Sequence, residues 1–324
     1  MGEILTLAAN NLLSPIVLCF ALGVSAALAR SDLSVPEAAA KALSIYLLFA
    51  IGFKGGVSVA AHGVDLTLGL SLVAGVILSA LLPLIAFALL RALSGLDRLN
   101  AAAVAGHYGS ISIVTFVAAT SVLESSGIAA EGYMVAVAAA MEAPAILSAL
   151  WLISRGESGR MDASLWREIL LNGSIVLLVG AFFIGMITGE EGLAEISSFV
   201  VAPFKGVLCL FLLDMGLVAG RGLAKGGKLL GAGSIAFGVL MPPIGAAFGL
   251  LAGLVLGLSL GGTVLLMTLS ASASYIAVPA AMRVALPEAN PSIYLTLSLG
   301  VTFPFNLVLG IPLYLAVASF VFGA

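Results

Sequence analysis

The sequence is poor in charge: Asp, Glu, Lys and Arg make up 9% of its 324 residues, against about 25% in soluble domains. It has two cysteines and two histidines, without a Cys-x-x-Cys pair or a Cys/His cluster that would indicate a structural metal site. It also lacks a run of lysine and arginine that would indicate a nucleic-acid partner. These shortages argue against a soluble domain, a zinc module and a nucleic-acid-binding protein.

Long apolar runs take the place of the missing charge, and 61% of the residues are hydrophobic. A helix needs about 20 apolar residues to cross a hydrocarbon core about 30 Å thick. The runs are continuous rather than alternating, which favours helices over a β-barrel. The first run follows an acidic start at Glu3 and lacks the basic segment of a signal peptide. We therefore predict an all-α polytopic membrane protein with ten transmembrane helices at residues 12–29, 38–56, 66–94, 101–124, 132–154, 169–188, 200–220, 229–258, 263–285 and 291–320.

The distribution of lysine and arginine over the predicted loops indicates the orientation. Eleven of them fall on one side, whereas only Lys54 and Lys205 fall on the other. Because basic loops stay in the cytoplasm, we expect both termini on the outer, periplasmic side of a bacterial inner membrane. The acidic segment with Glu190, Glu191 and Glu195 is then expected to form an outward-facing loop.

The chain divides into two similar halves, residues 1–160 and 161–324, at the polar connector Arg155–Arg167. GSISIVTFVAATSV at Gly109–Val122 aligns with ASASYIAVPAAMRV at Ala271–Val284 at a constant offset of 162 residues. Five helices per half is an odd number, so the second half must be inverted in the membrane, which is typical of transporters. The alternative is chance similarity between helices rich in small residues.

Polar residues interrupt the fourth and ninth predicted helices near mid-membrane. If both helices break there, the N-termini of two half-helices point at one place, and their N–H groups and dipoles suit a small anion. The alternative is close packing through small residues. The candidate substrate-binding residues are Gly109, Ser110, Ile111, Ser112, Ser272, Ala273, Ser274 and Tyr275.

The same breaks expose carbonyl groups, which together with hydroxyls suit Na⁺. Glu142 adds a carboxylate in mid-membrane, where an acid is functional by default; the alternative is a hydrogen-bonded structural role. The glycine-rich segments match neither a P-loop nor a dinucleotide-binding fingerprint, so no organic cofactor is expected. The candidate Na⁺ ligands are Ser112, Thr115, Glu142, Ser270, Thr302 and Asn306.

A few other polar residues lie within the apolar runs. Asp214 is expected to pair with Arg221. His107 is expected to be packed or to line the site, because the sequence offers no acid to orient it and no nucleophile motif. Cys19 and Cys209 are expected to be buried as small hydrophobic residues. Without a convincing catalytic set, we do not expect an enzyme.

Three segments together resemble a known family. The segment Glu142-Ala-Pro144-Ala, the polar break at Gly109–Thr115 and, above all, PAAMRVALPEANPSIY at Pro279–Tyr294 resemble the cyanobacterial SbtA-type sodium-dependent bicarbonate transporters. The resemblance extends over essentially the whole chain. It implies a 5+5 inverted repeat, a homotrimer, and a core of helices 3–5 and 8–10 that moves, elevator-like, against a gate scaffold of helices 1, 2, 6 and 7.

The sequence also departs from that family at polar positions. Tyr275 and Ala277 stand where the family has an acid and a serine, Ile113 and Val114 replace Gly-Ser, and Glu142 replaces Asp. These changes leave the fold unaffected and bear on the substrate and the ion stoichiometry. Cyanobacterial members bind a PII-like regulator from the cytoplasm; the connector is short here, so this partner is not assumed.

The resemblance implies Na⁺-coupled uptake of bicarbonate by a protein embedded in lipid. Three alternatives remain at this stage. The chain could carry another small carboxylate or anion with Na⁺ or H⁺, it could form an anion-selective channel, or, least favoured, it could act as an intramembrane enzyme. Two helix N-termini present similar charge to bicarbonate and to a small carboxylate, so the sequence leaves the cargo open.

Overall fold

A computed structural model describes residues 13–63, 65–154, 171, 173–226, 230–275, 278, 279, 282, 286 and 288–323. In this part of the chain every regular element is a helix, and there is no strand. The predicted all-helical class is confirmed.

Polar caps begin several helices of the first half. The side chains of Ser14, Asp65 and Asp97 each accept a hydrogen bond from the N–H three residues further on, which satisfies a donor that the helix start would leave free. The helices of this half are α1 (Pro15–Leu28), α2 (Glu37–His62), α3 (Leu66–Leu93), α4 (Arg98–His107), α5 (Ile113–Ser125), α6 (Met134–Ala140) and α7 (Glu142–Ser154).

The second half ends in a long helix of mixed type. Its α-helical turns alternate with π-helical turns at Thr296–Thr302 and Asn306–Gly310, and such π-helical turns are frequent at functional sites. The helices of this half are α8 (Gly173–Val200), α9 (Phe204–Gly226), α10 (Ala232–Leu256), α11 (Leu260–Ala271) and α12 (Pro291–Phe322).

Within the described residues, six helices are long and apolar enough to cross a membrane. Three further apolar helices, α1, α5 and α11, are shorter. The predicted fourth span is divided into α4 and α5, and neither piece crosses a bilayer alone. The chain is thus a multi-pass membrane protein, while its ten-helix inverted repeat stays a prediction.

Three expectations from the sequence are wrong. Glu190, Glu191 and Glu195 do not form a loop, because helix α8 continues to Val200 across a kink at Gly189. Gly189 has φ 61° and ψ −153°, a conformation open to glycine alone. The acidic charge of this segment suggested a loop, but the chain turns at a single glycine and a second helical segment follows it.

The other two corrections concern side chains. In the part of the chain that the structure describes, Asp214 and Arg221 form no ion pair, and Arg221 Nη2 donates to the Leu33 carbonyl at 2.7 Å instead. A long arginine side chain readily reaches a loop at the helix end. Cys19 and Cys209 are partly exposed rather than buried. The predicted connector, residues 155–167, lies outside the described residues.

Close helix pairs divide the described helices into two groups. Helix α1 packs along α9 and α2 packs along α8, with glycines at the crossings. A Cβ atom at Gly23 would collide with the Leu213 carbonyl, and one at Gly56 with the Phe182 carbonyl, so small residues permit this approach. We call α1, α2, α8 and α9 the four-helix group, and α3–α7 with α10–α12 the large group.

Candidate functional site

The first break separates α4, which ends at His107, from α5, which begins at Ile113. Ser112 caps α5: its hydroxyl accepts the Thr115 N–H at 3.2 Å and the Thr115 hydroxyl at 2.9 Å. Ser110 and Ser112 are both buried. The break therefore presents the N-terminus of α5 inside the protein, as the sequence predicted.

The second break begins where α11 ends, at Ala271. Residues 272–274 are non-helical, and the Ser272 hydroxyl turns back to donate to the Leu269 carbonyl at 2.9 Å. The Ser274 hydroxyl accepts the Val278 N–H at 3.4 Å. Most of the outgoing half-helix that the sequence predicts after Tyr275 lies outside the described residues.

The two breaks touch in the interior of the protein. The Ser112 N–H donates to the Ser272 hydroxyl at 2.9 Å, and the Ser274 N–H donates to the His107 carbonyl at 2.8 Å. His107 Nδ1 lies 2.5 Å from the Ser274 carbonyl oxygen. The contact predicted from the 162-residue offset is confirmed, since segments 109–112 and 272–275 meet.

Glu142 lies beside the first break. The Ser110 hydroxyl donates to its Oε2 at 2.6 Å, and the carboxyl group is buried, with 8% of the residue exposed. Helix α7 begins at Glu142, directly after Met141, whose carbonyl accepts a hydrogen bond from Ser79 on α3. The buried carboxylate that the sequence indicated is thus held against the break.

Helix α12 ties both breaks together with neutral groups. The Thr302 hydroxyl donates to the Gly238 carbonyl at 2.7 Å and accepts from the Tyr108 hydroxyl at 2.6 Å. Asn306 Nδ2 donates to the Ala271 carbonyl at 2.9 Å, at the end of α11. Thr302 and Asn306, proposed from sequence as cation ligands, therefore already serve as structural links.

Two tyrosines with structural roles at this site escaped the sequence analysis. Tyr108 lies in the first break and bonds Thr302, while the Tyr314 hydroxyl donates to Asn306 Oδ1 at 2.7 Å. Both rings are almost fully buried. A buried tyrosine usually finds a partner for its hydroxyl, so its presence in an apolar run was a usable signal.

Three buried polar atoms at or near the breaks have no hydrogen-bond partner among the described residues. They are His107 Nε2, Ser270 Oγ and Tyr275 OH. In these same residues, no group of three or more His, Cys, Asp or Glu could hold a metal ion. A cation here would have to use hydroxyls and carbonyls in addition to Glu142, which suits Na⁺ better than a transition metal.

A cleft of about 270 Å³ opens between the two helix groups, lined among others by Lys54, Phe116, Glu124 and Phe204. Lys54 Nζ on α2 lies 2.6 Å from Glu124 Oε1 on α5. Lys205 Nζ on α9 donates to the Ser125 hydroxyl at 2.9 Å. Both cations belong to the four-helix group, and both hold the C-terminal end of the helix whose N-terminal end forms the first break.

Comparison with known families settles the class of this arrangement. The family model described as the Na⁺-dependent bicarbonate transporter superfamily matches residues 15–319. The chain belongs to this family. It is therefore a transporter rather than an enzyme, and the resemblance inferred from its motifs is confirmed. A search of curated proteins gives no match.

Proposed function

We propose that this transporter imports bicarbonate together with Na⁺ and holds the anion between its two breaks. The observation that supports this most is the buried crossing where Ser112 meets Ser272 and His107 meets Ser274. This crossing lies at the start of α5. The Ser112 hydroxyl accepts the Thr115 N–H, and the N–H groups of Ile113 and Val114 come before that capped position. Bicarbonate is the cargo of the family as described.

Positive potential for the anion comes from the helix start rather than from a basic side chain. The N-terminus of a helix carries a partial positive charge of roughly half a unit, and hydrogen bonds to an anion are about twice as strong as neutral ones. The residues proposed to surround the anion are Gly109, Ser110, Ile111, Ser112, Ser272, Ala273, Ser274 and Tyr275.

Gly109 has a packing role as well. A Cβ atom there would collide with the Pro83 ring and the Ser79 carbonyl on α3. A bulky substitution at this position would therefore disturb helix packing and would say little about the anion. Ala273, in the second break and buried, is the better position at which to fill the proposed site.

For the coupling ion we propose Ser112, Thr115, Glu142, Ser270, Thr302 and Asn306 as contributors, with nearby carbonyls. Glu142 supplies the negative charge, and the Ser270 hydroxyl is a buried oxygen without a partner among the described residues. A cation held beside the breaks would attract the anion, and by linkage each ion would strengthen the binding of the other.

The two halves, residues 1–160 and 161–324, are proposed to be inverted repeats. Repeated caps support this: Asp97 caps α4 and Ser259 caps α11, and these positions are 162 residues apart. The first turn of each of these two helices is also hydrogen-bonded to a segment that precedes another helix, α12 for α4 and α6 for α11. The Asn290 N–H donates to Asn100 Oδ1, and Ser259 donates to the Glu131 carboxylate.

We further propose that the large group moves as the core against the four-helix group, which serves as the gate scaffold. The contacts of arginine and lysine side chains support this division into two groups. Arg98 bonds the Leu152 carbonyl within the large group, and Arg221 bonds Leu33 within the four-helix group. Lys54 and Lys205, by contrast, bridge the groups. A homotrimer in the bacterial inner membrane with both termini outside belongs to the same proposal.

A cysteine pair tests the motion. In K54C/E124C, on a background where Cys19 and Cys209 are replaced by Ala, a short bis-methanethiosulfonate linker between the two thiols should lock the two groups and stop uptake, and reduction of the linker should restore it; a linker is used because a direct disulfide needs Cα atoms within about 7 Å. The pair R98C/L152C, within the large group, is the matched control and should transport in both states. Full uptake by the cross-linked K54C/E124C protein would contradict a moving core.

The activity itself is tested in proteoliposomes loaded without Na⁺. An inward Na⁺ gradient should drive saturable accumulation of labelled bicarbonate, and an equal K⁺ gradient should not. Accumulation driven by a proton gradient alone would point to H⁺ coupling through Glu142 instead. Non-saturable flux that needs no coupling ion would identify an anion channel and would sink the proposal.

A further inference from the structure

His107 is fixed against the second break from three sides. It ends helix α4 and is fully buried. Its backbone carbonyl accepts the Ser274 N–H, and its ring Nδ1 bonds the Ser274 carbonyl. The ring stacks on Tyr294, with 4.6 Å between centroids and 27° between planes. The imidazole therefore has a defined position beside the two segments that are proposed to hold the anion.

The bond to Ser274 determines which nitrogen carries the proton. A carbonyl oxygen can only accept, so Nδ1 must be the donor, and in a neutral imidazole the other nitrogen then presents a lone pair. That nitrogen, Nε2, is buried and has no hydrogen-bond partner among the described residues. A buried acceptor without a donor is destabilising, and a ligand that donates a hydrogen bond would remove this cost.

Bicarbonate carries an O–H group, and the donor groups of the two breaks cannot accept its hydrogen bond. Two of its three oxygens only accept hydrogen bonds, and N–H groups and hydroxyls of the breaks can donate to them. The third oxygen carries a hydrogen and needs an acceptor. Formate, nitrate and carbonate have no such O–H group, so an acceptor at the site would distinguish bicarbonate from all three.

We propose that Nε2 of His107 accepts the hydrogen bond of the bicarbonate O–H group and thereby selects bicarbonate over small anions without a donor. This inference rests on the proposed function, because it takes the anion to lie between the breaks. A site built to bond a hydroxyl discriminates strongly against an analogue that lacks it, since its own polar group is then left unpaired.

A pair of isosteric substitutions tests the role of each nitrogen. His107→Asn places an amide near the position of Nδ1 and can keep the bond to Ser274, but it removes the Nε2 acceptor. We expect this variant to bind bicarbonate about tenfold more weakly, the equivalent of one lost hydrogen bond, and to bind formate within about twofold of the unchanged protein. His107→Gln can present its amide oxygen near Nε2 and should retain more of the preference for bicarbonate.

The measurement is competition of unlabelled formate, nitrate and bicarbonate against labelled bicarbonate, on detergent-purified protein in Na⁺ buffer. Ser121→Ala is the matched control, because the Ser121 hydroxyl is also buried and has no partner in the part of the chain that the structure describes, but lies nine residues beyond Ser112 on the sequence. An unchanged bicarbonate-to-formate ratio in His107→Asn would overturn the inference.

A spectroscopic readout covers the case in which His107→Asn fails to fold. The chain has two histidines, so protein labelled with ¹⁵N at histidine gives few ring signals, and His62→Gln assigns them. Bicarbonate should shift the Nε2 signal of His107, and formate should leave it in place. If bicarbonate binds and the signal does not move, the lone pair faces a structural water and the inference fails. If bicarbonate does not bind at all, the proposed function fails first.

Discussion

The two breaks carry serines at positions 162 residues apart, but these serines have different partners. In the first, the Ser110 hydroxyl donates to the Glu142 carboxylate. In the second, the equivalent Ser272 hydroxyl donates to a backbone carbonyl of its own helix, and the amide of Asn306 holds the end of α11. One break is thus braced by an acid and the other by neutral groups.

This difference shows how the two breaks, which we propose to be repeats of each other, could divide the chemistry. Each break supplies a serine hydroxyl that accepts a hydrogen bond from a later N–H group, Ser112 in one and Ser274 in the other, which suits contact with one anion from two sides. Only the first break has a buried carboxylate beside it among the described residues. On the proposed function, the anion is shared between the repeats, while the cation is held mainly by the first.

Of the changes at the two breaks, removing the charge at Glu142 should have the largest effect on Na⁺ dependence. Glu142→Gln keeps the size and the bond from Ser110 and removes the negative charge. We expect the Na⁺ concentration for half-maximal uptake to rise at least about tenfold, because charged hydrogen-bonded groups contribute more than neutral ones. The measurement is uptake against Na⁺ concentration, with Asp214→Asn, a buried acid of the four-helix group, as control. An unchanged Na⁺ response in folded protein would count against the assignment.

Removing the neutral brace should affect folding more than ion dependence. Asn306→Leu leaves the Ala271 carbonyl and the Tyr314 hydroxyl without their partner, which should cost about 1–3 kcal/mol of stability. The melting temperature in detergent reports this loss, and the Na⁺ concentration for half-maximal uptake should rise less than in Glu142→Gln, because Asn306 offers the proposed cation site a neutral oxygen rather than a charge. A larger shift in Na⁺ dependence than in Glu142→Gln would reverse the division between the breaks.

Removing the hydroxyl of Ser112 or of Ser274 should have a smaller effect, on bicarbonate binding, and the two losses should differ. Ser112 accepts two hydrogen bonds from Thr115 and Ser274 accepts one long bond from Val278. Ser112→Ala should therefore weaken bicarbonate binding by about 1–2 kcal/mol and Ser274→Ala by about 1 kcal/mol or less, in line with the worth of a cap or a single bond. Binding isotherms at fixed Na⁺ compare them. Equal losses would mean that the caps are equivalent.

The smallest effect concerns the start of α4, which leads into the first break. Hydrogen bonds from the Asn100 backbone and side chain lower the pKa of Asp97. A lowered folded-state pKa means that the ionised cap adds stability above the unfolded value of about 3.9 and that this stability is lost as pH falls through the folded value. Melting temperatures between pH 7 and about pH 3 should fall less steeply in Asp97→Asn. Identical slopes would show that the cap carries no such stability.

The contact between the two breaks could be predicted from the sequence because similar residues recur in both halves of the chain. Ser110 and Ser112 recur as Ser272 and Ser274 at one offset, and a shared offset implies shared geometry whatever the contacts are. The carboxylate of Glu142 was equally visible, since an acid in an apolar run needs a reason.

Contacts between distant side chains lay beyond that reasoning. Tyr108 bonds Thr302 and Asn306 bonds the Ala271 carbonyl, and nothing local to these residues specifies which polar atom faces which. The helix after Gly189 was missed for a different reason: acidic residues suggested solvent, but exposure to solvent does not prevent a segment from being helical.

The most direct test of the central claim is binding of labelled bicarbonate to purified protein in Na⁺ and in choline buffer, for the unchanged chain and for Ala273→Leu. The account predicts Na⁺-dependent binding that Ala273→Leu abolishes in protein that still folds, because the added side chain occupies the position proposed for the anion beside Ser112 and Ser272. Normal Na⁺-dependent binding by Ala273→Leu would show that the anion does not lie between the breaks.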